Sequence, residues 1–427
     1  MVRDVVIGLA LLGVLFTSPT ARADEIDLAG TWSLQLDRED QGESQQWFQR
    51  ELSDRLTLPG VLTAQGFGDP PSMDTPWTGN INKIWREDPY YRQYQAPDNF
   101  KMPFWLQPDR HYVGAAWYQR RIEVPRNWRG KRLVLWLERP HWQTTVWLDG
   151  ECLGSKDSLG TAHVHELGCD VAPGKHRLTI RVDNRMIVGV GPNSHSVSDH
   201  TQGNWNGIAG RIELRATDPV WIDDVRVYPN IDDRTVRVTA SLGNVTGESS
   251  RGRFTIADCR LRTADSPGEP LSIPISWTVE GGRVECTYPM GDDCQLWDEF
   301  HPAVYEMTVE LKGDSSGRSV QDQASVSFGM REVGTQGTRI TLNGRPIFLR
   351  GTLECCIFPL MGHPPTDVGS WRRIVRVCKA HGLNHIRFHS WCPPEAAFVA
   401  ADELASTSTP NVQAGPTRAP ASVMAVR

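Results

Sequence analysis

The sequence has no block of Lys or Arg. Its 45 cationic side chains are interspersed with 51 acidic ones, for a net charge of −6. Nucleic acid and a membrane surface are therefore poor candidates for the main partner, and a neutral or small polar ligand fits better. No cysteine spacing resembles a zinc site. No phosphate loop is present, and Ser158, Ser194 and Ser390 stand outside any nucleophile-elbow context. His163 and His165 alternate in "TAHVHEL" and would share one side of a strand, but no third ligand accompanies them, so no metal site is expected. No motif requires a cofactor.

What is present begins with a leader. Arg3, the apolar run Val5 to Phe16, Ser18, Pro19 and the small-residue pattern Ala21-Arg22-Ala23 describe a cleavable secretory signal over residues 1–23. The run counts twelve residues, against about 20 needed to span a bilayer. The mature chain is expected to begin near Asp24, to be secreted or periplasmic, and to have no membrane contact after cleavage. Nine cysteines leave at least one unpaired within an exported chain. Cys152 and Cys169, each beside a turn signal, are the first pair to expect in a disulfide. Vicinal bridges are strained, so Cys355 and Cys356 read as two separate thiols.

From Gly114 to Asn184 the chain reads as short alternating strands, "WYQRRIEV", "KRLVLWLE", "TTVWLDG" and "HRLTIRVDN", broken by Gly, Pro and Asp-Gly turns. This predicts an antiparallel sandwich ending near Thr217. A second set, from "WIDDVRVYP" to "ASVSFGM", has the spacing of an immunoglobulin-like sandwich over residues 218–335. Then the period changes. "RPIFLRG" reads as a short apolar strand, and Trp371, Ile374, Val375 and Cys378 recur at helical spacing. Gly382 stands where that helix should end, and "NHIRFH" reads as a second strand. That βαβ unit predicts the opening of a parallel barrel or doubly wound sheet.

Four stretches in this order, "GNWNGIAGRIEL", "LWDEFHPAVYEMTVEL", "FGMREV" and "ITLNGRPIFLRG", resemble glycoside hydrolase family 2, which includes β-galactosidases, β-glucuronidases and β-mannosidases. The resemblance covers about Ala29 to Leu404. It implies a mainly β chain: a jelly-roll sugar-binding sandwich over 24–217, the immunoglobulin-like sandwich, and over 336–404 the first βαβ part of a TIM barrel. It also implies a β-glycoside or glycan as ligand. In the family the two catalytic carboxylates follow the fourth and seventh barrel strands. This chain is expected to reach only the second, so no catalytic residue is assigned.

Retaining glycoside hydrolysis needs two carboxyl groups about 5 Å apart. Glu354, just beyond the first expected barrel strand, is the one acidic residue close behind either strand end, and reads as a rim residue. In "RFHSW", Arg387 and His389 alternate with Ile386 and Phe388, which gives the strand a polar face toward a barrel interior or rim. Trp391 closes the stretch. Many family members carry a histidine three residues after the matching arginine; here Ser390 holds that place. Arg387 reads equally as a substrate contact or a buried structural cation. Asp199, eight residues before Gly207, falls where some family members send a carboxylate into the active site. It reads alternatively as a solvated loop residue. Twelve of 16 tryptophans precede residue 222, and the aromatic stretch from Trp77 to Trp117 suits either a saccharide cleft or interface packing.

Residues 405–427 contain no acidic or aromatic side chain and follow no period of two or 3.6. They are expected to be a disordered, non-native tail, such as a frame-shifted end, or else a linker. On this reading the chain is an exported family 2-like protein cut off before its chemistry and inactive alone. The alternative is a non-catalytic carbohydrate-binding or scaffold protein of two sandwiches. The sugar, linkage and oligomeric state are left open. Ile347, Phe348, Leu349, Ile386, Phe388, Trp371, Ile374 and Val375 are expected to lack packing partners, so that proteolysis would start beyond Glu332.

Overall fold

Leu133, Leu135 and Leu137 are all buried, as their alternation along one strand requires. The computed structural model describes residues 24–77, 87–101, 109–187, 204–264, 267–315, 317–389 and 391–410. Strands of this kind build the first of two sandwiches. They are β1 (Glu25–Asp27), β2 (Gly30–Asp37), β3 (Asp54–Leu58), β4 (Gly60–Val61), β5 (Ala115–Val124), β6 (Arg132–His141), β7 (Gln143–Leu148), β8 (Glu151–Lys156), β9 (His163–Gly168), β10 (Gly174–Asp183) and β11 (Gly207–Thr217). One sheet runs β1-β11-β6-β9 with β4 also on β11, and the other runs β3-β2-β5-β10-β7-β8. Trp32, Tyr118, Leu135, Ile180, Ile208 and Leu214 fill the space between them. Along β5 alternation gives way to continuous burial from Ala115 to Gln119. The reason is a second small core on the outer face, where Trp117 and Trp147 pack against Trp47 and Leu52.

The second sandwich comprises β12 (Val220–Asn230), β13 (Thr235–Asn244), β14 (Ser250–Leu261), β15 (Leu271–Trp277), β16 (Gly282–Pro289), β17 (Val304–Ser315) and β18 (Arg318–Gly329). Its sheets are β12-β13-β16 and β15-β14-β17-β18, a three-plus-four arrangement of the immunoglobulin type. Val236, Phe254, Ile256, Met307 and Leu311 lie at its centre. A short hairpin sheet follows, of β19 (Val333–Gln336), β20 (Arg339–Leu342) and β21 (Arg345–Pro346).

Beyond it the chain turns α/β: β22 (Gly351–Glu354), α1 (Val368–Ala380), β23 (His385–Phe388), α2 (Glu395–Glu403) and β24 (Thr407–Pro410). All strand pairs are parallel, with Leu353 beside Arg387 beside Thr409. The Asp367 side chain caps α1 by accepting the Ser370 N–H at 2.7 Å. Gly382, at φ 75°, supplies the left-handed residue past its end. Trp371 and Val375 are buried, with Ile374 and Cys378 packed beside them, as the helical spacing predicts.

Four expectations need correction. The strand expected at "RPIFLRG" forms instead at Gly351–Glu354. Asn384 explains the shift: its side-chain oxygen accepts the Arg350 N–H (2.7 Å) and its Nδ2 donates to the Phe348 carbonyl (3.1 Å). Ile347 meanwhile packs onto Trp297 and Leu342 beside the hairpin. Second, residues 405–410 are not a disordered tail but include a third parallel strand. β-branched Thr407 donates its N–H and its hydroxyl to the Asn384 carbonyl, each at 3.0 Å, and Ser406 is buried. Third, the strand and helix side chains do not all lack partners. Trp371, Val375, Ile386 and Phe388 form a core with Trp391 and the alanines of α2, whereas Phe348 is 75% exposed. Fourth, all nine cysteines are free thiols. Cys152 lies on the edge strand of one sheet and Cys169 just past the edge strand of the other, which leaves the expected pair unjoined.

Candidate functional site

Parallel strands end where their following loops gather, and β22 and β23 end at Glu354 and Phe388. The Glu354 carboxylate accepts the Cys356 N–H with both oxygens at 3.0 Å. That bond steadies a turn in which Cys356, a non-glycine residue, adopts φ 61°. Burial pushes the Glu354 carboxyl up to about 7, against the lowering effect of the Cys356 and Ile357 N–H groups and of the Trp391 side chain. No second carboxylate contributes to that shift. The Glu354 carbonyl accepts the His389 N–H at 2.8 Å and the Trp391 Nε1–H at 3.3 Å, which ties the two loops into one rim.

Trp391 is 3% exposed. Its ring meets Phe388 edge-on at 5.3 Å and Phe358 at 6.5 Å, so it forms the back of the rim instead of an open stacking platform. Arg387 projects from the other face of β23 and is exposed, not buried as a structural cation. Leu353 and Thr409 are its register partners, and Cys355 lies near enough for its thiol to feel the guanidinium. The structure thus gathers Glu354, His389 and Trp391 and sets Arg387 on the adjoining face. Asp199, Ser194 and Ser390 lie outside the described residues, as do Trp85, Trp105 and Phe104 of the aromatic stretch.

The first sandwich supplies the wall beside this rim. Arg139, on β6, donates to the carbonyls of Cys392 and Gly160, and burial lowers its pKa. Arg211 on β11 pairs with Glu395 at the start of α2, at 3.0 Å. Trp205 stacks on His141 at 4.4 Å and 25°, lies 5.9 Å from His363, and packs on Val61 and Ala209. His363 is held neutral by burial, with Nδ1 2.8 Å from the Pro364 carbonyl.

The motif "NWNG" explains how Trp205 is held. Fully buried Asn206 accepts the Tyr118 hydroxyl at 2.8 Å and donates to the carbonyls of Gly114 (2.9 Å) and Val182 (3.1 Å). Gly207 follows, and a Cβ there would stand 2.3 Å from the Gly60 carbonyl oxygen. Sequence reasoning missed Arg139, His141, Trp205 and His363 as wall residues. The only available signal was the motif around Trp205; the others reveal themselves through contacts between segments far apart in the chain.

His163 and His165 do share a side of β9, and both converge on the Thr144 hydroxyl at 2.7 and 2.9 Å. Burial holds both neutral, His165 down to about 3. They are interior groups of the first sandwich, remote in role from the rim.

Chemically, the rim offers one carboxyl that titrates near neutrality, one open guanidinium and an aromatic backing. It can bind and orient a polar ligand. Among the described residues it does not assemble the two carboxyl groups that a retaining displacement needs.

A family model described as "Glycosyl hydrolases family 2" matches residues 220–331. The β-glucuronidase of Paenibacillus borealis is 21% identical over 354 residues, which cover 79% of this chain and 50% of that protein. The β-glucuronidase of Felis catus is 23% identical over 375 residues, covering 81% and 50%. The chain spans about half the length of the curated relatives it matches. A solved structure of a glycosyl hydrolase family 2 member from Bacteroides cellulosilyticus superposes with a TM-score of 0.67 at 16% identity, covering 90% of this chain and 45% of that one. The β-glucuronidase of Ruminococcus gnavus does so with a TM-score of 0.66 at 17% identity, covering 93% and 61%.

Proposed function

Because the chain belongs to glycoside hydrolase family 2, we propose that it serves the hydrolysis of β-glycosides, with β-glucuronides as the substrate class. The substrate class rests on the β-glucuronidases among its relatives. The observation that carries the site assignment is the rim itself. Glu354, His389 and Trp391 meet at the carboxyl ends of parallel strands, beside a wall from the first sandwich. That is where barrel enzymes collect substrate-binding groups.

In this reading residues 24–217 are the jelly-roll domain, 218–335 the immunoglobulin-like domain, and 336–404 with β24 the opening of a TIM barrel. Arg387 takes the carboxylate of the uronide, because a guanidinium offers two parallel donors to a planar carboxylate. Glu354, protonated over part of the neutral range, donates to a sugar oxygen. The described residues hold no carboxylate pair at the rim, so the chain by itself binds but does not turn over. Residues 1–23 act as a secretory leader, and sequencing the exported product from its N-terminus should begin near Asp24.

The test is direct. Purified chain is assayed on nitrophenyl β-glucuronide, β-galactoside and β-mannoside, and glucuronate binding is followed by NMR. No turnover is expected, with binding that Arg387→Ala weakens at least tenfold. Clear turnover abolished by one Asp or Glu substitution within residues 24–404 would overturn the non-catalytic part. Glucuronate binding indifferent to Arg387 would overturn the rim assignment.

A second reading, a carbohydrate-binding or scaffold protein, is favoured by the two closed sandwich cores. Glycan binding by residues 24–335 alone would support it, and binding to no glycan would count against it.

A further inference from the structure

The outer face of the six-stranded sheet carries a groove that the proposed function does not use. Its volume is about 410 Å³, and Phe48, Arg121, Asp149, Lys175, His176 and Arg177 line it. Small-ligand pockets run from roughly 300 to 1,000 Å³, so the size admits a sugar unit or two.

The charges in the groove do not balance. Arg121 on β5 and Arg177 on β10 stand directly opposite each other. Like charges in that position repel unless something bridges them. Glu51 does so alone, accepting from Arg121 at 2.8 Å and from Arg177 at 3.3 Å, and the paired guanidiniums hold its carboxyl below the usual range. One carboxylate therefore serves two guanidiniums. Asp149 is already engaged by the Arg177 N–H at 2.7 Å and His176 Nδ1 at 2.6 Å. The other His176 nitrogen faces the Ala172 carbonyl at 2.6 Å. Lys175 has no carboxylate within ion-pair distance among the described residues. Three fixed cations thus line the groove with the single carboxylate of Asp149; Glu51 bridges the two guanidiniums from beside it, and Glu123 stands opposite Lys175 in the strand register but outside ion-pair distance, which leaves Lys175 without an ion pair among the described residues.

The apolar element is equally defined. Phe48 lies parallel to Trp147, 5.3 Å between centroids and 4° between planes, and Trp147 stacks in turn on Trp117 at 4.9 Å. Three stacked rings make a rigid support, with Phe48 bordering the groove.

We propose that this groove binds an acidic saccharide. The apolar face of the sugar ring rests on Phe48, and an anionic substituent, a carboxylate or a sulfate ester, meets Lys175 and the Arg121–Arg177 pair. The site lies on the opposite side of the first sandwich from the rim and does not depend on the rim's chemistry.

The experiment is calorimetry on the full chain with four probes: tetragalacturonate, its methyl ester, a sulfated disaccharide and inorganic sulfate. Binding of tetragalacturonate with a Kd of about 1 mM or tighter is expected. It should fall at least tenfold for Lys175→Glu and for Phe48→Ala, and tenfold for the methyl ester. Arg387→Ala should leave it unchanged. Binding of the sulfated disaccharide in place of the uronate supports the site and assigns the sulfate arm. Should Phe48→Ala fail to fold, the exposed Lys175→Glu variant decides. Equal affinity for the neutral ester, equal affinity for free sulfate, indifference to Lys175→Glu, loss with Arg387→Ala, or no binding of any probe would each overturn the proposal.

Discussion

The Trp297 indole donates its Nε1–H to the carbonyl oxygen of Asp402 at 2.8 Å, joining the second sandwich to α2. Arg331 lies over the same indole at 4.4 Å and pairs with the Asp402 carboxylate at 3.1 Å. Beside it, Arg262 of the sandwich and Arg372 of α1 share Glu403, at 3.1 and 2.7 Å. Burial raises the Asp402 carboxyl and the guanidinium opposes that rise, so the pair depends on staying together. The α/β segment is therefore docked on the second sandwich as well as on the first.

Docking predicts shared protection. Limited proteolysis should leave residues 336–410 as resistant as the sandwiches, and Trp297→Phe should expose them. One neutral hydrogen bond contributes about 1 kcal/mol, so cleavage within 336–410 should accelerate roughly fivefold. Rapid cutting of the unaltered chain beyond Glu332 would show that the docking is not held in solution.

Glu354 gives a pH dependence of one sign. Its carboxyl titrates near 7 in the folded protein and near the ordinary carboxylate value of 4.5 in the unfolded chain, so the folded protein binds more protons between those values. Stability of the α/β segment should be full below about pH 4.5 and decline as pH rises through 7, by about 3 kcal/mol. Glu354→Gln should remove the slope, as read by urea denaturation followed through Trp391 fluorescence at pH 5 and pH 8. A slope that survives the substitution would assign it to another group.

His165 gives the opposite sign. Its folded value is held near 3 against 6.5, so the unfolded chain binds the extra proton. Stability of the first sandwich should be complete above pH 6.5 and fall as acid is added, by about 2 kcal/mol on reaching pH 5. His165→Gln should flatten that stretch of the curve; a variant as acid-sensitive as the parent would clear His165 of responsibility.

Asn206→Ala should cost about 3 kcal/mol, because it strips the Gly114 and Val182 carbonyls and the Tyr118 hydroxyl of a shared buried partner. It should also loosen Trp205 from His363, visible as a change in indole emission. A loss below about 1 kcal/mol would mean that water replaces the amide.

The two sandwiches were legible because their strands alternate with a period of two and end at Gly and Asp-Gly turns. Helix α1 was legible from Trp371 and Val375, and its ends from Asp367 and Gly382. β22 was misplaced because "IFLR" is the most apolar local run, whereas the pairing follows from Asn384, a residue 34 positions from Arg350. β24 was missed because "STSTP" has no apolar residue; its order comes from threonine hydroxyls and the neighbouring strand. Of the candidate rim, the nearness of Glu354, Arg387, His389 and Trp391 to the ends of β22 and β23 could be read from position. That Trp391 turns its faces inward, and that Arg139 and His363 form the wall, depends on contacts between elements that no local pattern records.

β1 pairs with β11, Glu25 beside Arg215, and Lys131 ties Asp24 (2.6 Å) and Asp218 (3.4 Å) together at the same corner. The sandwich is thus closed by its first strand lying against its last. A ribosome adding about 5 to 20 residues per second needs on the order of ten seconds or more to reach β11 after β1 has emerged. Through that interval Ile26 and Leu28 wait without the surface they are meant to cover. Of the strands of this sandwich, β1 is made first and is among the last to find its place.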